Sequence, residues 1–172
     1  LLSLYIFAFI MRFILQWVRA DFYNPVSQFI VKITNPPLMP LRRIIPGWGG
    51  IDLAAVVLIL LLVSIKQSLL LIIKGHSLAG LALKIFIYSI AETLQMILNL
   101  FFFTILIQII LSWVAPQQYN PVSMLLYKIN EPLLRPARRL LPPISGIDLS
   151  PMLVIILLKV SEMLLIPPII AL

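Results

Sequence analysis

"WVRADFYNPVSQFIVKITNPPLMPLRRIIPGWGGIDL", residues 17–53, returns without a gap 96 positions later as "WVAPQQYNPVSMLLYKINEPLLRPARRLLPPISGIDL", residues 113–149, with 19 of 37 positions identical. Agreement that dense marks a duplicated unit. In both copies an apolar run leads up to the tryptophan and another follows the aspartate of "GIDL". Each unit therefore reads as apolar span, polar-apolar middle, apolar span, and two units make four spans. A crossing needs ~20 apolar residues, which places the spans at 1–18, 51–73, 92–115 and 148–170. The third apolar stretch starts earlier, near Leu81, so its first turns belong either to the membrane interface or to a tilted helix. The expected organisation is one repeat over 1–73, a connecting segment over 74–91 and a second repeat over 92–172.

Composition supports the same class. The 172 residues are 62% hydrophobic and 11% charged, with a mean hydropathy of +1.10, which is the balance of an integral all-α membrane protein. Beside four spans no soluble catalytic domain is expected within these residues. The absence of cysteine removes disulfides, thiolate metal sites and iron-sulfur clusters. A net charge of +7 in such a chain meets anionic headgroups, not nucleic acid. The sequence opens at Leu1, without methionine and already inside an apolar run, so a true N-terminus is expected upstream. A cleaved signal peptide is not expected, because that run leads into "QWVRADFYNP" and not into a small-residue cleavage site.

Two spans separate equivalent points, so the repeats run parallel through the membrane, unlike the inverted repeats of many transporters. The repeated loops carry Arg19, Lys32, Arg42 and Arg43, and then Lys128, Arg135, Arg138 and Arg139. The central connection offers Lys74, Lys84 and His76. By the positive-inside rule both repeated loops face the cytoplasm and both termini the opposite side.

Within each loop, Val26, Phe29, Ile30 and Ile33, and their twins Val122, Leu125, Leu126 and Ile129, have the spacing of an amphipathic helix. Asn24 and Asn120 stand where an N-cap is needed, each followed by a proline suited to the first helical position. That proline also argues against N-glycosylation. At roughly ten residues such helices are too short to span and are expected in the plane of the interface. Pro36, Pro37, Pro40 and Pro46 should then break the chain into short pieces. From these Arg42 and Arg43 would project, as would Arg135, Arg138 and Arg139 in the twin.

With Lys32 and Lys128, these arginines are the candidate lipid- or partner-binding residues. One reading is anchoring on lipid phosphates, and the other is docking of an acidic partner or a specific anionic lipid. A twin-arginine export signal is excluded by position. Asp52 and Asp148 stand at the first turns of the second and fourth spans, placed to cap them and to bridge to the arginines, with Gly50 and Gly146 allowing the tight approach.

A second polar set lies deeper. Lys66 and Glu162 occupy equivalent repeat positions with opposite charge, about 22 Å along their helices. Asn99 falls at a similar depth, and Lys159 stands one turn before Glu162. Such a layer is either a structural pairing near the outer interface or a substrate path. Arg12 is near enough to Trp17 to snorkel toward the nearer surface. With a single histidine, His76, no metal cluster, bis-histidine haem site or Ser-His-Asp arrangement can assemble. Neither an enzyme nor a cofactor is expected.

The paired "W…YNP" and "P…RR…P…GID" blocks, each between apolar spans, resemble the YggT family of small bacterial membrane proteins, called YlmG in Gram-positive bacteria and having chloroplast relatives. The resemblance covers nearly the whole chain. It implies a four-span protein of the bacterial inner membrane. It associates the family with osmotic or envelope stress, cell division and nucleoid distribution, and with maturation of a chloroplast cytochrome. The matching positions are Asn24, Pro25, Arg42, Arg43 and Asp52, with Asn120, Pro121, Arg138, Arg139 and Asp148. The lone histidine leaves no axial ligand pair, so a haem role does not transfer. Two functions remain in view: a non-enzymatic scaffold or assembly factor working through its basic interfacial helices, and a small ion or osmolyte transport component using Lys66, Asn99 and Glu162. The expected partners are anionic lipids, another membrane protein and a second copy of the chain, with no direct nucleic acid.

Overall fold

The computed structural model describes residues 1–75, 77–114, 120–141 and 148–171, within which six helices form and no strand does. They are α1 (Leu2–Trp17), α2 (Pro25–Ile44), α3 (Leu53–Ile73), α4 (Ala82–Val114), α5 (Pro121–Leu140) and α6 (Ser150–Ala171). His76, Gly146 and the end of the expected third span at residue 115 lie outside the described residues.

Helices α3, α4 and α6 are long and apolar enough to cross a membrane, with mean hydropathies of 2.7, 2.3 and 2.2. Helix α1 is apolar but has 16 residues, about 24 Å of helix against a hydrocarbon core of about 30 Å. The outer surfaces of the long helices are apolar: Leu61, Leu69, Phe103, Ile107, Ile156 and Leu164 are all exposed. Surface of that kind calls for lipid in place of water.

Helix α4 begins ten residues before the expected span start at 92 and runs for 33 residues. Gly80 and Pro116 bracket it, and no glycine or proline interrupts the residues between, so nothing local ends the helix. Its length, about 50 Å, exceeds a bilayer core. It packs along α6 and α3, and against α5 and α1 at its other end. The buried core joins Phe9 and Ile10 of α1, Leu38 of α2, Val63 of α3, and Leu100 and Ile105 of α4.

The loop helices correct the expected short pieces. Helix α2 continues for 20 residues straight through Pro36, Pro37 and Pro40, and α5 for 20 through Pro132 and Pro136. Proline's fixed φ suits a helix, and its cost is a lost hydrogen bond and a crowded carbonyl one turn back. Tertiary contact offsets part of that cost. The carbonyl of Ile33, deprived of its partner by Pro37, accepts a hydrogen bond from the Tyr5 hydroxyl at 3.4 Å.

In α5 Leu125, Leu126 and Ile129 are buried as the apolar spacing has them, with Val122 exposed; in α2 the buried face differs. It consists of Ser27, Ile30, Thr34 and Leu38, while Phe29 turns outward at 63% exposure. In a lipid setting the greasiest face can point away from the protein and the inner face can carry hydroxyls, because hydrophobicity no longer separates protein interior from surroundings.

Candidate functional site: paired polar clusters in the two halves

Both loop helices start with the same cap. Asn24 Oδ1 accepts from the Val26 N–H at 2.9 Å, and Asn120 Oδ1 from the Ser123 N–H at 2.7 Å. The Asn24 amide also donates to the Pro121 carbonyl at 2.6 Å, so the N-termini of α2 and α5 meet.

At their far ends the arginines turn inward. Arg42 Nε donates to Asp52 Oδ2 at 3.0 Å, and its terminal nitrogen reaches Gln16 Oε1 at 3.1 Å. Asp52, 5% exposed, uses its other oxygen to accept from Ala55 N–H at 3.2 Å, capping α3. The second half repeats the pin: Arg138 Nε donates to Asp148 Oδ2 at 3.0 Å, and Asp148 Oδ1 accepts from Ser150 N–H at 2.9 Å. Arg138 also donates to Glu131 at 3.1 Å and lies over the Tyr127 ring at 5.8 Å. Burial alone would raise the Asp148 pKa, but hydrogen bonds from Ser150 and Arg138, with the arginine's charge, hold it below its ordinary value. Burial likewise works against Arg138, and Asp148 with Glu131 outweighs it, raising the guanidinium's pKa.

Of the seven expected lipid- or partner-binding residues, Arg42 and Arg138 are thus occupied inside the chain. Lys32, Arg43, Lys128, Arg135 and Arg139 are exposed and make no ion pair or side-chain hydrogen bond among the described residues. Gly49 and Gly50, both at positive φ, form a two-residue turn that pairs Trp48 with Ile51 and delivers the chain to Asp52.

Deeper in each half, the first helix of the unit bonds its loop helix at matching positions. Arg12, 6% exposed, donates to the Val31 carbonyl at 3.1 Å and to Thr34 Oγ1 at 2.7 Å. It does not snorkel to the surface. The positions 96 residues on are Gln108 and Asn130, joined by a 2.7 Å bond from the Asn130 amide, with Thr104 donating to Asn130 Oδ1 at 2.7 Å.

The expected layer of Lys66, Asn99, Lys159 and Glu162 resolves into two clusters. Lys159 donates to Glu162 at 2.8 Å and to Asn99 at 3.4 Å, and lies over the Phe102 ring at 4.5 Å. Lys66 instead forms an ion pair with Glu92, which also accepts from Gln67 at 2.6 Å. Gln95 completes the Lys159–Glu162 cluster, donating to Glu162 at 3.0 Å. Sequence reasoning passed over Glu92 and Gln95 because Glu92 stood at the assumed start of the span. The available signal was the stripe Ser89, Glu92, Gln95, Asn99, which winds along one side of a helix. Among the described residues, no three His, Cys, Asp or Glu side chains gather as a metal site would need.

Comparison with known proteins agrees in family. The CCB3/YggT family profile matches residues 1–73 and 87–169. An uncharacterised Pseudomonas aeruginosa protein is 50% identical over 164 residues, covering 95% of this chain and 83% of its own. An uncharacterised Escherichia coli protein, YggT, is 40% identical over 162 residues, covering 94% and 83%. A Haemophilus influenzae relative is 39% identical over 150 residues, covering 87% and 78%. No solved structure matches. With two matched segments that take in both copies of the duplicated stretch, and relatives aligned along nearly its whole length, the chain belongs to the CCB3/YggT family.

Proposed function

We propose that this protein is a non-enzymatic scaffold or assembly factor of the bacterial inner membrane, with four spans in two parallel repeats and with α2 and α5 on the cytoplasmic leaflet. The observation that carries the reading is the set of five exposed cations on α2 and α5, Lys32, Arg43, Lys128, Arg135 and Arg139, that no acidic group takes up among the described residues. Exposed Phe29, Met39 and Tyr127 lie on the same two helices. A basic surface with apolar side chains between its charges suits anionic headgroups, and a membrane partner seated among them. Envelope or osmotic stress, cell division and membrane-complex assembly are the settings in which such a scaffold would work.

The transport alternative would use the Lys66–Glu92 and Lys159–Glu162 clusters. Each lysine there has its own carboxylate, and paired intramembrane charges favour a structural role. A photo-crosslinker at Phe29 or Tyr127 tests the scaffold: it should capture a specific membrane protein, with capture weakened by Arg43→Gln plus Arg139→Gln and unchanged by Glu162→Gln. Solute flux through liposomes of the purified protein, abolished by Glu162→Gln, would overturn the reading.

A further inference from the structure

We infer that the first half of the protein holds a binding site for a single phosphate-bearing anion, with Arg12 as its principal ligand. The inference deepens the scaffold reading and rests on it in one respect, that the end of the bundle carrying α2 lies at headgroup level.

Arg12 is charged, buried and incompletely partnered. Its two recorded hydrogen bonds both leave Nη1 and both end on neutral oxygens, those of Val31 and Thr34. Nε and Nη2 have no hydrogen-bond partner among the described residues. No carboxylate lies within ion-pair distance of Arg12 there. Asp52 is engaged by Arg42 and by the Ala55 N–H. Neither Nε nor Nη2 is a sealed polar atom, so both are open to an anion that would replace water there and add the charge partner a mostly buried guanidinium lacks.

The space for an anion is present. Arg12, Gln16, Arg42 and Asp52 line a cavity of about 490 Å³, within the range of small-molecule sites. Two cations against one carboxylate leave it with one positive charge in excess. Phe22, Val31, Ile45 and Gly47 form the rest of the wall, which suits the glycerol and upper acyl carbons of a lipid better than a fully hydrated ion. Planar N–H groups directed at phosphate oxygens are a recurrent arginine geometry.

The second half lacks this charge balance. Position 108, equivalent to Arg12, is glutamine, and Arg138 is held by two carboxylates, Asp148 and Glu131, where Arg42 has one. One phosphate per chain is therefore expected, in the first half, despite the duplication.

The test uses purified full-length protein in a non-ionic detergent, with retained lipid counted by native mass spectrometry. Phosphatidylglycerol, phosphatidylcholine and inorganic phosphate are added separately. The expected result is one tightly held phosphatidylglycerol, with affinity falling about tenfold or more in Arg12→Gln, and little change in Arg43→Gln plus Arg139→Gln. Ile45→Trp, which narrows the cavity from its apolar wall and leaves both arginines and their hydrogen-bonding groups in the chain, should lose binding while keeping the thermal unfolding midpoint. It covers the case in which Arg12→Gln fails to fold. Inorganic phosphate that binds alone and displaces the lipid assigns the site to free phosphate; lipid retained in excess phosphate assigns it to the headgroup. Binding that survives both Arg12→Gln and Ile45→Trp, or equal retention of phosphatidylcholine, overturns the site. Loss confined to the Arg43 and Arg139 variant would also overturn it while leaving the scaffold surface standing.

Discussion

Asp52 and Asp148 each do two jobs with two oxygens, one accepting from a helix-start N–H and the other from an arginine ten residues upstream. The consequence with pH follows from Asp148. Its folded pKa is depressed, so its stabilisation is complete above the unfolded value of about 4 and is lost as pH falls through the lower folded value. Thermal unfolding in detergent should therefore show an acid-side loss of midpoint that is smaller in Asp148→Asn. A separate expectation concerns Lys66 and Glu92. Removing one partner, as in Lys66→Met, strands a charge and should cost ~3 kcal/mol, whereas Lys66→Met with Glu92→Gln should recover much of it. Denaturant titration in mixed micelles measures both, and equal costs for single and double variants would count against a coupled pair.

Among the elements, the loop helices diverge most from sequence rules. Proline spacing argues for breaks at 36, 37 and 40, yet α2 persists because α1 packs along it and Tyr5 serves the carbonyl that Pro37 leaves open. If that hydroxyl substitutes for a backbone donor, Tyr5→Phe should cost roughly 0.5–1 kcal/mol in the native background. With Pro37→Ala, which restores the N–H, it should cost almost nothing. A double-mutant cycle on unfolding free energies reads the difference. Helix α4 is the opposite case: an uninterrupted helix-forming run becomes one long helix, and the expected start at 92 came from matching a bilayer's thickness and not from any stop signal. The caps at Asn24, Asn120 and Asp52 follow from side-chain chemistry within three residues, which is why their positions were legible.

Across the whole molecule, α4 is the helix that touches α1, α3, α5 and α6. The proposed topology places α2 and α5 on one side and the α3–α4 connection on the other. Since the chain has no cysteine, single cysteines report side without background. Gln28→Cys should be labelled by an impermeant maleimide from the cytoplasmic face alone, and Ser77→Cys from the opposite face alone. Labelling of both from one face would exclude four spans.

By itself the sequence determined what local chemistry and composition can decide: a helical, membrane-suited chain, a duplicated stretch of sequence, helix-start hydrogen bonds at Asn24, Asn120, Asp52 and Asp148, and the family. Periodicity, capping and hydropathy act over a few residues or sum over a window, so they survive without a fold. Tertiary structure alone decided which charges are occupied. Arg42 and Arg138 are held in pins while Arg43 and Arg139 stay exposed; Lys66 belongs to Glu92 and not to the layer of Glu162; and Arg12 lines a cavity. Those pairings depend on the rotation of each helix about its axis, which packing against neighbours sets and no stretch of sequence encodes alone.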